Sequence, residues 1–357
     1  MTLSFFRRFL LICAGLTAIS LNQSLADEPF FRETDIYEAR ALLPECYRPS
    51  LTVLENGILA CAWASGSGMQ ALDTSIRISF KSSENNGWTE PAVAADEPGY
   101  PDNYPLLAKL PDGRLRLIYA TLYREKRKNP PDARLEGWHL KYRDSKDGGR
   151  IWGGEFFLIP ESGRVPSGGM VELPDGGLLL GLTDLRKSGS MFLVSRDKGS
   201  YWKDLARIAD PSGLVDPSAA LAGTGTLLAF LRPQEGSQRE KVLWQTESPD
   251  NGRSWSSPRK TELLNPCGPT SLLRLANGHL ALLYNDHAEW LTPLTIALSE
   301  DGGQSWPWKR NLVKGQWDNR DPSLVETADG RLHLVYVARN IYLKYLEISE
   351  SWIKEKP

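Results

Sequence analysis

Six times along the chain, a short run dense in Leu, Val, Ile and Ala meets a turn containing Gly and is followed by a second such run. The pairs read YRPSLTVLENGILACAW from Tyr47, NYPLLAKLPDGRLRLIY from Asn103 and VPSGGMVELPDGGLLLGL from Val165. They return as VDPSAALAGTGTLLAFL from Val215, PCGPTSLLRLANGHLALLY from Pro266 and RDPSLVETADGRLHLVYV from Arg320. Asn-Gly and Asp-Gly supply the positive φ values of a tight hairpin, so each pair predicts two antiparallel strands, A and B. The runs are almost continuously apolar, the pattern of strands covered on both faces. Their spacing of about 50 to 60 residues leaves room for two more short strands per unit.

A second pattern interleaves with the first. Ser-x-Asp-x-Gly-x-x-Trp occurs from Ser145 to Trp152, Ser195 to Trp202, Ser248 to Trp255 and Ser299 to Trp306. A degenerate copy lies at Ser83 to Trp88, and the last unit runs out at Ser349-Glu350-Ser351-Trp352. Each box falls where a third strand, C, turns into a fourth, D. Six such units define an all-β, six-bladed β-propeller of four-stranded antiparallel blades. A two-sheet sandwich would not explain six equivalent hairpins. The segment from Phe30 to Tyr37 precedes the first A strand and has no other partner. It is expected to supply the outer strand of the sixth blade, closing the ring and removing exposed edges.

The box residues read as structural. Ser and Asp bond the backbone of their own turn, Gly permits a left-handed backbone, and Trp wedges between neighbouring sheets. Identical acids in separate blades do not converge on one point, so Asp147, Asp197, Asp250 and Asp301 are not expected to be catalytic. In an A-B-C-D meander the boxes fall on the face opposite the starts of the A strands.

Composition narrows the setting. Arg7-Arg8, the apolar stretch Phe9 to Leu21 and Ser24-Leu25-Ala26 have the layout of a cleaved signal peptide, residues 1–26. The stretch is too short for a membrane span. The mature chain, 27–357, is then expected to be periplasmic or secreted, without a membrane anchor, and monomeric. The whole chain carries a formal charge of −2, and losing the leader removes only two arginines among its charged groups. Nothing in that balance points to nucleic acid. Cys46, Cys61 and Cys267 have no framework spacing, and at most one bridge, Cys46 with Cys267, is expected. His139, His279, His287 and His333 form no ligand-spaced cluster, so no metal or other cofactor is expected.

Chemistry is expected where A strands start and B strands end, around the ring axis. Those positions hold Arg48, Asn103, Tyr104, Asp216, Arg232, Asn285, Arg320 and Asp321, with Asp73 in a neighbouring loop. Arginine forks, carboxylates and aromatic rings together suit sugars, so a glycan or oligosaccharide is the expected partner.

The boxes, the YRPSL strand start and the six hairpins resemble the sialidase (neuraminidase) superfamily, in its bacterial branch with BNR-type repeats. The resemblance covers essentially the whole mature chain. It implies a glycoside hydrolase that releases a terminal sugar, with arginines on the sugar carboxylate, an Asp acid/base and a Tyr nucleophile activated by a Glu. By that resemblance Arg48 and Arg232 are clamp arginines, Asp73 is the acid/base, and Asp216 stands where the activating Glu is expected. Two positions depart from the pattern. Thr292 and Pro293 stand where the third arginine is expected, and Asp321 stands where the Tyr nucleophile would open the sixth A strand.

The expected catalytic set is therefore Asp73, Asp216 and Asp321. Arg48, Arg232, Arg320, Tyr104, Asn103 and Asn285 are expected to hold the substrate. Arg320 is expected either to neutralise Asp321 or to replace the missing clamp. The sugar is sialic acid by resemblance, or a less acidic one given the two departures. Two other functions fit the residues: a non-catalytic glycan-binding propeller, and a polysaccharide lyase with Tyr104 or His287 as base.

Overall fold

The structure is a computed structural model, and it describes residues 28–39, 43–82, 87–128, 134–204, 208, 212–223 and 225–355. The expected leader and positions 83–86 of the degenerate box lie outside them.

Twenty-four strands among these residues form six separate four-stranded antiparallel sheets. The first blade comprises β2 (Glu45–Val53), β3 (Leu59–Gly66), β4 (Ser75–Lys81) and β5 (Ala92–Ala95). The second holds β6 (Asp102–Lys109), β7 (Leu115–Lys128), β8 (Arg134–Ser145) and β9 (Glu155–Ser162). The third holds β10 (Arg164–Glu172), β11 (Leu178–Asp184), β12 (Gly189–Ser195) and β13 (Lys203–Asp204). The fourth holds β14 (Leu214–Leu221), β15 (Leu227–Pro233), β16 (Val242–Ser248) and β17 (Arg259–Leu264). The fifth holds β18 (Ser271–Arg274), β19 (Leu280–Asn285), β20 (Leu294–Ser299) and β21 (Trp308–Val313).

The sixth blade joins β22 (Asn319–Glu326), β23 (Leu332–Ala338) and β24 (Tyr342–Ile348) to β1 (Phe31–Glu38). β1 pairs antiparallel with β24, Phe31 opposite Ile348 and Glu38 opposite Tyr342. The ring thus closes with both chain ends in one sheet, as the sequence implied. A short helix, α1 (Glu350–Lys354), follows; its N-cap Ser349 accepts from Trp352 N and Phe30 N and donates to the Glu28 carbonyl.

Every residue of the second strand is buried in the first, third, fifth and sixth blades, which accounts for their largely apolar character; the polar exceptions include Ser65, Thr183, Asp184, Asn285 and His333. The core lies between blades rather than at one centre. The six large inter-blade clusters each receive one box-type tryptophan: Trp152 between blades one and two, Trp202 between two and three, and Trp255 between three and four. Trp306, Trp352 and Trp88 do the same at the remaining interfaces, so even the two degenerate boxes keep their wedge. Trp255 stacks on Phe192 of the preceding blade at 4.3 Å and 11°.

The four full boxes share one hydrogen-bond plan. In each, the Ser hydroxyl lies 2.7–2.8 Å from the Asp Oδ1 and accepts the Gly N–H at 2.8 Å. Gly149 and Gly199 have φ of 94° and 89°, and a Cβ there would press into Leu115 and Leu110 side chains respectively. The box acids are fully occupied by their own turns, as their structural reading requires.

A further device stitches the ring at its axis. The hydroxyls of Ser50, Ser218, Ser271 and Ser323, one per A strand, accept the backbone N–H of Leu107, Leu272, Leu324 and Leu51 in the next blade. The expected Cys46–Cys267 bridge is not formed: Cys46, Cys61 and Cys267 are all free. Cys46 is buried among side chains of the first and sixth blades, whereas Cys267 belongs to the fifth.

Candidate active site

Five of the six A–B pairs carry a β-bulge at the same level, between Tyr47 and Ser50, Asn103 and Leu106, Ser167 and Met170, Val215 and Ser218, and Arg320 and Ser323. The first bulged residue has a left-handed backbone in each: Arg48 (φ 49°), Tyr104 (56°), Gly168 (64°), Asp216 (53°) and Asp321 (54°). In the four non-glycine cases a proline follows, which has no N–H to lose where the ladder is interrupted. Non-glycine residues held at positive φ cost energy and gather at functional sites. Here the bulges re-aim four chemically active side chains at one end of the axis.

Three of them meet. Arg48 Nη1 lies 3.3 Å from Asp216 Oδ2, and its Nε lies 3.5 Å from Asp321 Oδ1. The Arg48 backbone N–H also donates to Asp321 Oδ2 at 3.3 Å. Asp216 takes a second arginine, Arg232, whose Nε donates at 2.7 Å. The other Asp216 oxygen accepts the hydroxyls of Ser167 at 3.1 Å and Thr183 at 3.0 Å. The Tyr104 ring sits 5.1 Å beneath the Arg48 guanidinium and meets Trp138 edge-on.

Arg48, Tyr104 and Asp321 line the upper end of a cavity of about 1000 Å³ that runs along the axis between the six inner strands. Asp216 and Arg232, from the fourth blade, meet Arg48 but are not part of that lining.

Electrostatics separate the two acids. Burial would raise the Asp216 pKa, but Arg232 and Arg48, with the Arg232 and Thr183 hydrogen bonds, hold it well below the carboxylate range. Asp216 is therefore ionised at any working pH and donates no proton. Burial works against the Arg48 charge, but Asp321 and Asp216 more than offset it and hold the guanidinium firmly protonated. Burial raises the Tyr104 pKa above the ordinary phenol, with Arg48 pulling the other way, so its hydroxyl stays neutral. Cys46, beneath the cluster, is pushed up to about 12 by burial, Asp321 and Glu45, and is no nucleophile.

The other expected site residues are placed differently. Asp73 is exposed, and its carboxylate accepts the Ser67 N–H and hydroxyl at 2.9–3.2 Å; desolvation is the largest single influence and raises its pKa, but these hydrogen bonds together outweigh it and lower the pKa. Asn103 is fully buried. Its Nδ2 donates to the Met69 carbonyl at 2.9 Å, and its Oδ1 accepts the Tyr104 N–H at 2.7 Å. It ties the Asp73 loop to the Tyr104 bulge rather than facing substrate. Asn285 is buried as well and donates to the Asn319 carbonyl. Arg320 pairs with Asp318 at 2.5 Å; the cation beside Asp321 is Arg48. His287 spends Nδ1 on the N–H groups of Glu289 and Trp290.

Sequence reasoning missed Ser167 and Thr183, which support Asp216. No residue-level motif marks them, because the contact depends on the third blade lying against the fourth.

Metal-type spacing among the described residues occurs at His279, Glu300 and Glu350, on the opposite face. Lys354 Nζ lies 2.6 Å from both glutamates and supplies the positive charge there.

Six four-stranded blades with box turns on one face and an arginine–carboxylate cluster at the other mouth define a box-bearing β-propeller. The chain belongs to the BNR repeat-like domain family, which matches residues 57–334. No curated protein sequence matches it. Among solved structures, it is similar to a Hadza microbial sialidase, with TM-score 0.74 and 17% identity over 89% of this chain and 68% of that one. It is also similar to the Ruminococcus gnavus intramolecular trans-sialidase in complex with oseltamivir carboxylate, with TM-score 0.73 and 14% identity over 93% and 99% of the two chains. A third is the Penicillium chrysogenum α-L-arabinanase complexed with arabinobiose, with TM-score 0.67 and 15% identity over 92% and 100%. At such identities the likeness concerns the fold.

Proposed function

We propose that the chain is an exported glycoside hydrolase that removes a terminal sugar carrying little or no negative charge. The observation that supports this is the engagement of Arg48 by two of the protein's own carboxylates, Asp216 and Asp321. An arginine clamp for an anionic sugar needs its forks free, and here the nearest charges already balance. A sugar carboxylate brought within about 4 Å of Asp321 would meet repulsion on the order of 4 kcal/mol at an effective dielectric near 20.

In this reading Asp321, on the cavity lining, is the nucleophile or base, held by Arg48. Asp216 holds Arg48 from the fourth blade, with Arg232 as its second cation. Asp73 serves as acid/base from its loop: released by Ser67, its carboxyl takes up a proton from solvent and gives it to the departing glycosidic oxygen. The arabinanase neighbour indicates that this fold accommodates a neutral sugar.

The test is a screen of fluorogenic neutral, uronic and sialic glycosides. Release from neutral glycosides supports the reading; release from sialosides alone sinks it.

Glycan binding without turnover is the second reading. It is favoured by the Asp73 carboxylate, which is occupied by Ser67 in the free protein. A lyase has no such support, since the Tyr104 phenol is held neutral and His287 Nδ1 is spent on its own loop.

A further inference from the structure

The chain has twelve tryptophans, and ten are buried or half-buried in the core and its margins. The two exceptions, Trp290 and Trp317, are 60% and 58% exposed. They sit on segments joined to each other at the cluster face. Asn319 N donates to the Leu291 carbonyl at 2.8 Å, Asn319 Nδ2 to the Trp317 carbonyl at 2.9 Å, and Thr292 Oγ1 to the Gly315 carbonyl at 3.2 Å. The buried Asn285 amide grips the Asn319 carbonyl from below. His287 pins the turn that presents Trp290, and the Arg339 guanidinium lies 4.2 Å over the Trp317 ring. Trp317 is four residues from Asp321 along one strand start.

The two exposed indoles lie on segments bonded to each other beside the Arg48–Asp321 mouth, and neighbouring exposed aromatic surface of this kind can serve as a binding surface. Pinned backbone and a capping arginine limit the entropy lost on binding. Aromatic faces edged by polar groups (Arg339, Asp318, Arg320) match the apolar face and hydroxyl rim of a pyranose ring.

We propose that Trp290 and Trp317 form a platform for the next sugar units of a neutral oligosaccharide whose terminal unit occupies the Arg48–Asp321 mouth. The occupant is fixed by continuity: the segment carrying Trp317 leads directly into Asp321. This rests on the glycan reading above but not on turnover.

Two substrate sets separate the claims: aryl glycosides, which have no second sugar, and neutral di- to tetrasaccharides. Each is given to wild type and to W290A/W317A, with W290F/W317F as the ring-preserving control. Oligosaccharide affinity is also read on D321N by isothermal titration calorimetry, with and without the alanine pair. Expected is a loss of roughly tenfold or more for oligosaccharides in the alanine pair, recovery in the phenylalanine pair, and aryl glycoside turnover within about twofold of wild type. Undiminished oligosaccharide handling by the alanine pair, with aryl glycosides still cleaved, overturns the platform and leaves the hydrolase reading standing. Saturable oligosaccharide binding lost in the alanine pair, with no glycoside cleaved, upholds the platform and removes the hydrolase. Neither binding nor cleavage by wild type overturns both.

Discussion

Arg48 and Asp216, 168 positions apart in sequence, face each other across the propeller axis at 3.3 Å, each from the first position of a β-bulge with a left-handed backbone. The bulges place charge where the blades converge, and Asp321 joins from a third blade. This meeting of three inner strands is the core of the site.

Removing Arg48 is expected to leave Asp216 and Asp321 facing each other with one cation fewer. Arg48→Ala is expected to cost at most about 3–5 kcal/mol, the range for breaking a fully buried pair, since the Arg48 side chain is 21% exposed, and to abolish activity. Arg48→Lys should recover part of the stability and little of the activity, since a point charge does not bridge two carboxylates as a planar fork does. Urea unfolding beside turnover checks both.

Asn103 acts through what it holds. Asn103→Ala strands the Met69 carbonyl and the Tyr104 N–H, an expected cost of about 1–3 kcal/mol. If Asp73 is the acid/base, the variant should lose kcat with KM nearly unchanged. Adding Asn103→Ala to Asp73→Asn should then lower kcat little further. Additive losses would show that Asn103 does not work through the Asp73 loop.

His333 sets an acid limit on stability. Burial pushes its pKa down to about 4, with Lys81 and Arg331 reinforcing that and Asp329 opposing it. Its ring nitrogens contact Thr327 Oγ1 at 2.8 Å and the Tyr345 hydroxyl at 2.7 Å. The folded pKa lies below the unfolded one, so the contribution is fully present above about pH 6.5 and is lost as pH falls towards 4. It amounts to about 3 kcal/mol. His333→Gln should flatten the urea midpoint over that window; an unchanged slope would show that another group carries it.

The boxes and the cluster are separable. Trp255→Ala removes a wedge stacked on Phe192 and is expected to cost about 3–5 kcal/mol. At a temperature where the variant stays folded, its kcat should match wild type. A selective loss of kcat would tie the box face to chemistry.

Much of this was legible from repetition. The hairpins and boxes specify six blades, and the unpaired Phe30–Tyr37 run specifies the closing strand, because periodic apolar pattern and turn chemistry are local properties. The proximity of Arg48, Asp216 and Arg232 was half legible, since X-Pro at a strand start marks the bulge. The partners were not. Asn103 and Asn285 look like sugar ligands by residue type, yet both are buried and bonded to backbone carbonyls. Arg320 adjoins Asp321 in sequence, but neighbours in a strand point to opposite faces, and it pairs with Asp318 instead. Ser167 and Thr183 enter only through inter-blade packing.

Hydrolysis at Asp321 is checked by product analysis on one cleaved neutral glycoside with wild type, D321N and D216N. The expected result is free terminal sugar from wild type and at least a thousandfold less from D321N, with all three proteins folded. Release by D321N at the wild-type rate, or no free sugar from any neutral glycoside with wild type, would contradict it.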